Sequence, residues 1–145
     1  MNHTTFEEVF SRFRSRIRNY DFLEFDDFTI LQYQYSLLIQ SIFDFSDICK
    51  TDIEDYDSEL MVFNQKLTGK EINILSLGMM VHFLEPYVYN TDALQNAIST
   101  KDFSVYSPAN LLEKMTELLK ETKKELKKEV NLYSFKNGEI SDLSV

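Results

Sequence analysis

The segment DIEDYDSEL places Asp52, Glu54, Asp55, Asp57 and Glu59 in one short stretch. Five hard oxygen donors so close together suit a calcium loop. The helix–loop–helix calcium pattern also needs a central glycine and a glutamate at its twelfth position, and neither stands here. A solvated acidic loop is the plainer account. Nucleophilic chemistry has Cys49 alone to offer, in an acidic stretch that raises a thiol pKa and so lowers its reactivity. His3 and His82 have no carboxylate or second histidine at metal-ligand spacing. His82 falls on a helical segment, where a packed or half-exposed side chain is the ordinary outcome. Gly69, Gly78 and Gly138 are too scattered to cradle a phosphate. Abundant paired carboxylates in an exposed loop do not make a general acid and base. No catalytic residue, no cofactor and no metal ligand is therefore assigned, and the expectation moves from enzyme to interaction protein.

The elements that must position these residues are helical. In 145 residues there are only 3 glycines and 2 prolines, too few for the turns of an all-β domain. The apolar fraction of 43% is that of a globular chain, with 12 Phe and 8 Tyr but no Trp. Large aromatic side chains help a small core and also make a sticky interface. One cysteine excludes an intrachain disulfide and a cysteine-based zinc site. The opening MNHTTFEEVF lacks a basic stretch followed by an apolar run, and no segment approaches a membrane span. A chain made and folded in the cytoplasm is the expectation. The net charge of −9 is concentrated: the eleven acids from Asp21 to Glu59 face only Lys50, while the remainder is nearly neutral. Such a balance argues against sequence-specific DNA binding, which rests on phosphate contacts.

Spacing predicts an all-α fold of about five helices in one bundle-like domain over residues 1–136, with an acidic loop over 44–67 and a tail over 137–145. The first helix starts at Thr4 or Thr5, each followed three residues later by an acid, and buries Phe6, Val9, Phe10, Phe13 and Ile17. Arg12, Arg14, Arg16 and Arg18 form either a solvated flank or a contact for a partner's carboxylates or DNA phosphate. A second helix, capped by Asp26 or Asp27, carries the stripe Phe28, Leu31, Tyr35, Leu38, Ile39, Ile42, with Phe43 and Phe45 extending it. Thr68-Gly69-Lys70-Glu71 is a capping box opening the third and most apolar helix, expected at the centre and ended or kinked by Pro86. Asn90 or Thr91 caps a short fourth helix through Ile98. Ser107-Pro108 starts the last, which runs to about Phe135 along Leu111, Leu112, Met115, Leu118, Leu119, Leu126, Val130 and Tyr133. Its length, roughly 40 Å at ~1.5 Å per residue, predicts that part of it projects or packs on a neighbour. In the tail, Ile140, Leu143 and Val145 suit an added strand or docked peptide, or else a frayed terminus.

From Glu71 onward, LTGKEINILSLGMMVHFLEPYVYN, ALQNAISTKDFSVYSPANLLEKMTELLKETKKELKKEV and the closing FKNGEISDL resemble tailed-bacteriophage head–tail connector proteins of the adaptor type. STKDF, YSPANLL and NGEISDL carry the resemblance, which covers the C-terminal half. It implies a small helical subunit of the virion neck, assembled in the host cytoplasm into a ring, usually of twelve copies, beneath the portal. Such a ring extends the DNA channel, lets DNA pass without specific contact, and joins head to tail. The implied partners are further copies of itself, the portal protein and the next neck or stopper protein, with no membrane. The implied docking residues are Tyr133, Phe135, Ile140, Leu143 and Val145. Asp52, Glu54, Asp55, Asp57 and Glu59 are candidates to line the channel, where like charge repels DNA; an outward-facing loop is equally allowed. The rival readings are an acidic DNA mimic or regulatory protein that binds a host factor, and a tail-assembly chaperone.

Overall fold

The computed structural model describes residues 3–20, 30–90 and 108–136, which form four helices and one small hairpin. Helix α1 spans Phe6–Arg18, α2 Ile30–Phe45, α3 Gly69–Tyr89 and α4 Pro108–Lys136; β1 is Tyr56–Asp57 and β2 Val62–Phe63. Thr5, not Thr4, caps α1: its hydroxyl accepts from the Glu8 amide while the Glu8 carboxylate accepts from the Thr5 amide. Thr4 is instead buried, and its hydroxyl accepts from the Leu67 amide at 2.8 Å. The five predicted apolar positions of α1 are all buried.

Helix α3 is the axis. Its capping box at Thr68 and Glu71 forms as the sequence predicts, and every residue from Ile74 to Val81 is buried. Burial all round is what a helix enclosed by others shows, and α1, α2 and α4 each pack against α3. Gly78 lets α2 approach closely, since a Cβ there would lie 2.2 Å from the Ser41 hydroxyl. Ser41 in turn donates to the Leu75 carbonyl at 2.8 Å. The helix does not end at Pro86 but runs on to Tyr89. Proline so near the end removes one intrahelical bond only, the Asn90 amide closes the last turn on the Pro86 carbonyl, and the Tyr87 ring packs edge-on to Phe83.

The buried face of α2 is rotated from the predicted one. Gln34, Leu37, Leu38, Ser41, Ile42 and Phe45 point inward, whereas Leu31 and Phe43 are exposed. Two polar side chains on the inner face hid the true stripe, because each has a partner that apolarity alone does not reveal. Phe28 and the Asp26 or Asp27 cap lie outside the described residues, as do the predicted helix over 91–98, the loop over 99–106, the Ser107 cap and the tail over 137–145.

Residues 44–67 are not a plain loop. β1 and β2 pair antiparallel with Tyr56 opposite Phe63 and Asp57 opposite Val62. The chain before α1 joins the hairpin: Thr5 bridges Val62, the Phe63 amide donates to the Thr4 carbonyl, and the Phe6 amide donates to that of Met61. Ile53, Phe63 and Leu67 plug the core beside Phe6, with the Phe6 and Phe63 rings 4.8 Å apart. This hairpin departs from the all-α expectation, although the fold remains mostly helical.

Helix α4 lies along α3 and does not project over the length described. Leu111, Met115, Leu118, Leu119 and Tyr133 are buried, so it is held near both ends.

Candidate functional site

The groups with chemical potential are arranged in three polar clusters and one acidic hairpin. In the first cluster the Glu71 carboxylate is 1% exposed and collects donors from several elements. It accepts from the Tyr133 hydroxyl at 2.7 Å, from Thr51 Oγ1 at 2.9 Å, from the Thr68 amide at 2.9 Å and from Cys49 Sγ at 3.4 Å. Burial alone would raise its pKa; the hydrogen bonds from Thr68, Tyr133 and Thr51 overcome this and hold it below the usual carboxylate value. The same burial, with the Glu71 charge beside it, pushes the Cys49 thiol up to about 12. A thiol so disfavoured as thiolate is a structural donor, not a nucleophile. Tyr133 is raised as well, first by burial, while its oxygen accepts from the Lys50 amide at 2.8 Å. Its ring packs edge-on to Phe45 at 5.3 Å. The cluster therefore clamps the C-terminal turn region of α4 to the start of α3 and to the chain leaving α2.

The second cluster is built on Arg16. Its Nε donates to Ser76 Oγ at 3.1 Å, Nη2 donates to Asn73, and Nη1 lies 3.6 Å from Glu125 on α4. Burial lowers its pKa, opposed by Glu125. Arg12 also donates to Asn73, and Arg14 bridges Glu7 and Gln34. These three tie α1 to α2 and α3, and Arg16 also to α4, although Arg12 remains exposed as a flank residue would be. Arg18 alone of the four is both exposed and outside this set of bonds.

The third cluster contains His82, half-buried as expected; against the sequence reading it has carboxylates in reach, with Nε2 2.6 Å from Asp44 and Nδ1 3.5 Å from Glu85 one turn along, although no group among the described residues could hold a metal ion. Glu85 also meets Lys123, which donates to the Tyr89 hydroxyl and lies over its ring. It joins α2, α3 and α4 at the surface.

Of the acidic residues of the hairpin, several have local work. Asp57 Oδ1 accepts from the Glu59 and Leu60 amides, Asp52 Oδ1 from the Glu54 amide, and Asp55 Oδ1 from the Asn64 side chain. Met61 closes the turn at φ 56°, a left-handed conformation uncommon outside glycine. Asp52, Glu54, Asp55 and Glu59 are exposed and Asp57 is half-buried. Leu60 stands at the turn, 72% exposed.

Of the predicted docking residues, Tyr133 is buried in the clamp, whereas Phe135 is 66% exposed beside Leu132. Ile140, Leu143 and Val145 lie outside the described residues. Sequence reasoning missed the clamp because Glu71 already had a sufficient role in its capping box, and nothing in spacing links it to a tyrosine 62 positions away. Among the described residues no helix is long and apolar enough to cross a membrane. No family model, no curated protein and no solved structure matches this chain.

Proposed function

We propose that the chain is an assembly subunit, and specifically an adaptor-type neck protein that forms a ring under a phage portal and extends its DNA channel. The resemblance in STKDF, YSPANLL and NGEISDL supports this reading. The observation that carries it is the clamp at Tyr133: it fixes where the chain leaves α4, so Phe135 and the segment after it start from a rigid edge. A docking tail needs such a fixed exit, because a preordered origin lowers the entropy lost on binding. The hairpin acids Glu54 and Glu59, held in place by the turns around them, would give a channel wall a fixed negative charge.

The experiment is protein identification on purified, DNA-filled particles of the phage that encodes the chain. A ring's worth of copies per particle supports the reading. Abundance during infection with absence from particles would replace it with the acidic-decoy or chaperone reading. The decoy reading has one observation of its own, the exposed acidic hairpin, and predicts tight binding of a DNA-handling protein by the free chain.

A further inference from the structure

The outer face of α4 is exposed from Ala109 to Phe135, and its charges are sorted by position. Angles of ~100° per residue bring Glu113, Glu117 and Glu121 onto the same face as Lys124, Lys127 and Lys128. The first half of the face is thus acidic and the second basic, with Lys120 near the middle as the one charge out of pattern. None of these six charged side chains is in an ion pair with a described residue. The basic end also carries exposed apolar surface, with Leu132 and Phe135 46% and 66% exposed. Shallow concavities follow this face, the C-terminal one lined by Lys124, Lys127, Lys128, Asn131, Leu132 and Phe135.

A face that is acidic in one half and basic in the other is complementary to itself when turned end for end. We propose that α4 is the two-fold interface of a homodimer in which the α4 helices of two copies lie antiparallel, outer face to outer face. In that register Glu117 comes opposite Lys128 and Glu121 opposite Lys124, with Phe135 covering the small Ala109. These two opposed pairs are of unlike sign in both copies, Lys120 beside Lys124 remaining the one like-charge approach. A parallel pairing would set acid against acid and lysine against lysine, which is repulsive along the whole face. The contact is isologous, the commonest symmetry of homo-oligomers. It closes on itself and cannot propagate a ring, so it belongs to the chain before assembly and stands or falls apart from the neck reading.

The test is sedimentation of the full chain across a concentration range, with charge-reversed variants. Glu117→Lys with Glu121→Lys, and separately Lys124→Glu with Lys128→Glu, should each weaken self-association at least tenfold. Both pairs together in one chain, or the two variants mixed, should restore it. Exposed positions leave folding unchanged, which circular dichroism checks. Geometry is read by disulfide trapping: Ala109→Cys mixed with Phe135→Cys should cross-link readily, and Ala109→Cys alone should not. A wild-type chain monomeric at every concentration overturns the proposal. So does cross-linking of Ala109→Cys to itself, which means a parallel contact. Dimerisation gained only when residues 137–145 are removed would overturn it too, by showing that the chain's own tail occupies the face.

Discussion

Replacing Tyr133 by Phe removes one oxygen and leaves the ring on Phe45 in place. That oxygen donates to the Glu71 carboxylate at 2.7 Å and accepts from the Lys50 amide at 2.8 Å. A hydrogen bond to a charged group contributes about 1.5–3 kcal/mol, and an amide left without a partner costs about 1–3 kcal/mol more when buried. Glu71 keeps Thr51, Thr68 and Cys49, and Lys50 is exposed enough for water to reach it, so the lower halves of both ranges apply. The expected loss is about 3 kcal/mol, which for a chain of this size lowers Tm by roughly 10 °C. Thermal and urea unfolding followed by circular dichroism would measure it. Tyr133→Ala should lose roughly 3 kcal/mol beyond that, from the vacated ring site. In a double-mutant cycle with Glu71→Gln the two changes should be non-additive by about 1–2 kcal/mol, because they share one bond. A Tyr133→Phe protein within about 0.5 kcal/mol of wild type, the scatter of unremarkable substitutions, would refute the claim that this hydroxyl holds α4 down.

The same cluster sets the pH range of stability. Glu71 is held below its ordinary value, so its contribution is complete above about pH 5 and is lost as pH falls through its folded pKa. The Cys49 thiol is raised to about 12, so its contribution is complete below about pH 8 and is lost as pH rises toward 12. Urea midpoints against pH should show both limbs, Glu71→Gln flattening the acid one and Cys49→Ser the alkaline one; curves parallel to wild type would contradict this. Gly78→Ala should destabilise by about 1–2 kcal/mol despite the better helix propensity of alanine, because the new Cβ collides with Ser41. Ser41→Gly should relieve much of that penalty in the double variant, and calorimetry of the four proteins would show it. Arg16→Met should cost about 1–3 kcal/mol by removing the donors it gives Ser76 and Asn73 and its charge beside Glu125, whereas Arg18→Met should stay within about 0.5 kcal/mol, a contrast that one denaturation series resolves.

The helices were legible where a local signal and a tertiary need coincide. The capping boxes at Thr5 and Thr68 act within four residues, and the α1 stripe is a clean period, so both were readable in advance. The inner face of α2 was not, because Gln34 and Ser41 are buried through partners on other helices, Arg14 and Leu75. Likewise the Arg cluster looked solvated until α3 supplied Asn73 and Ser76. The hairpin escaped notice because its strands are two residues each and owe their pairing to the segment at Thr4 and Thr5. Tyr133 was correctly placed on the apolar stripe of the last helix, but its hydroxyl partners lie far away in sequence. What periodicity cannot show is a polar side chain whose partner comes from another element.

The central claim is that this chain is a ring subunit of a phage neck. Imaging the neck of intact, DNA-filled particles at a resolution that traces helices tests it most directly. The account expects a single ring of this mostly helical fold around the channel beneath the portal, with Phe135 and residues 137–145 ordered against a neighbouring subunit or the portal and the hairpin of Asp52 to Glu59 at a fixed place in every copy. A complete neck whose density contains no such fold would contradict it.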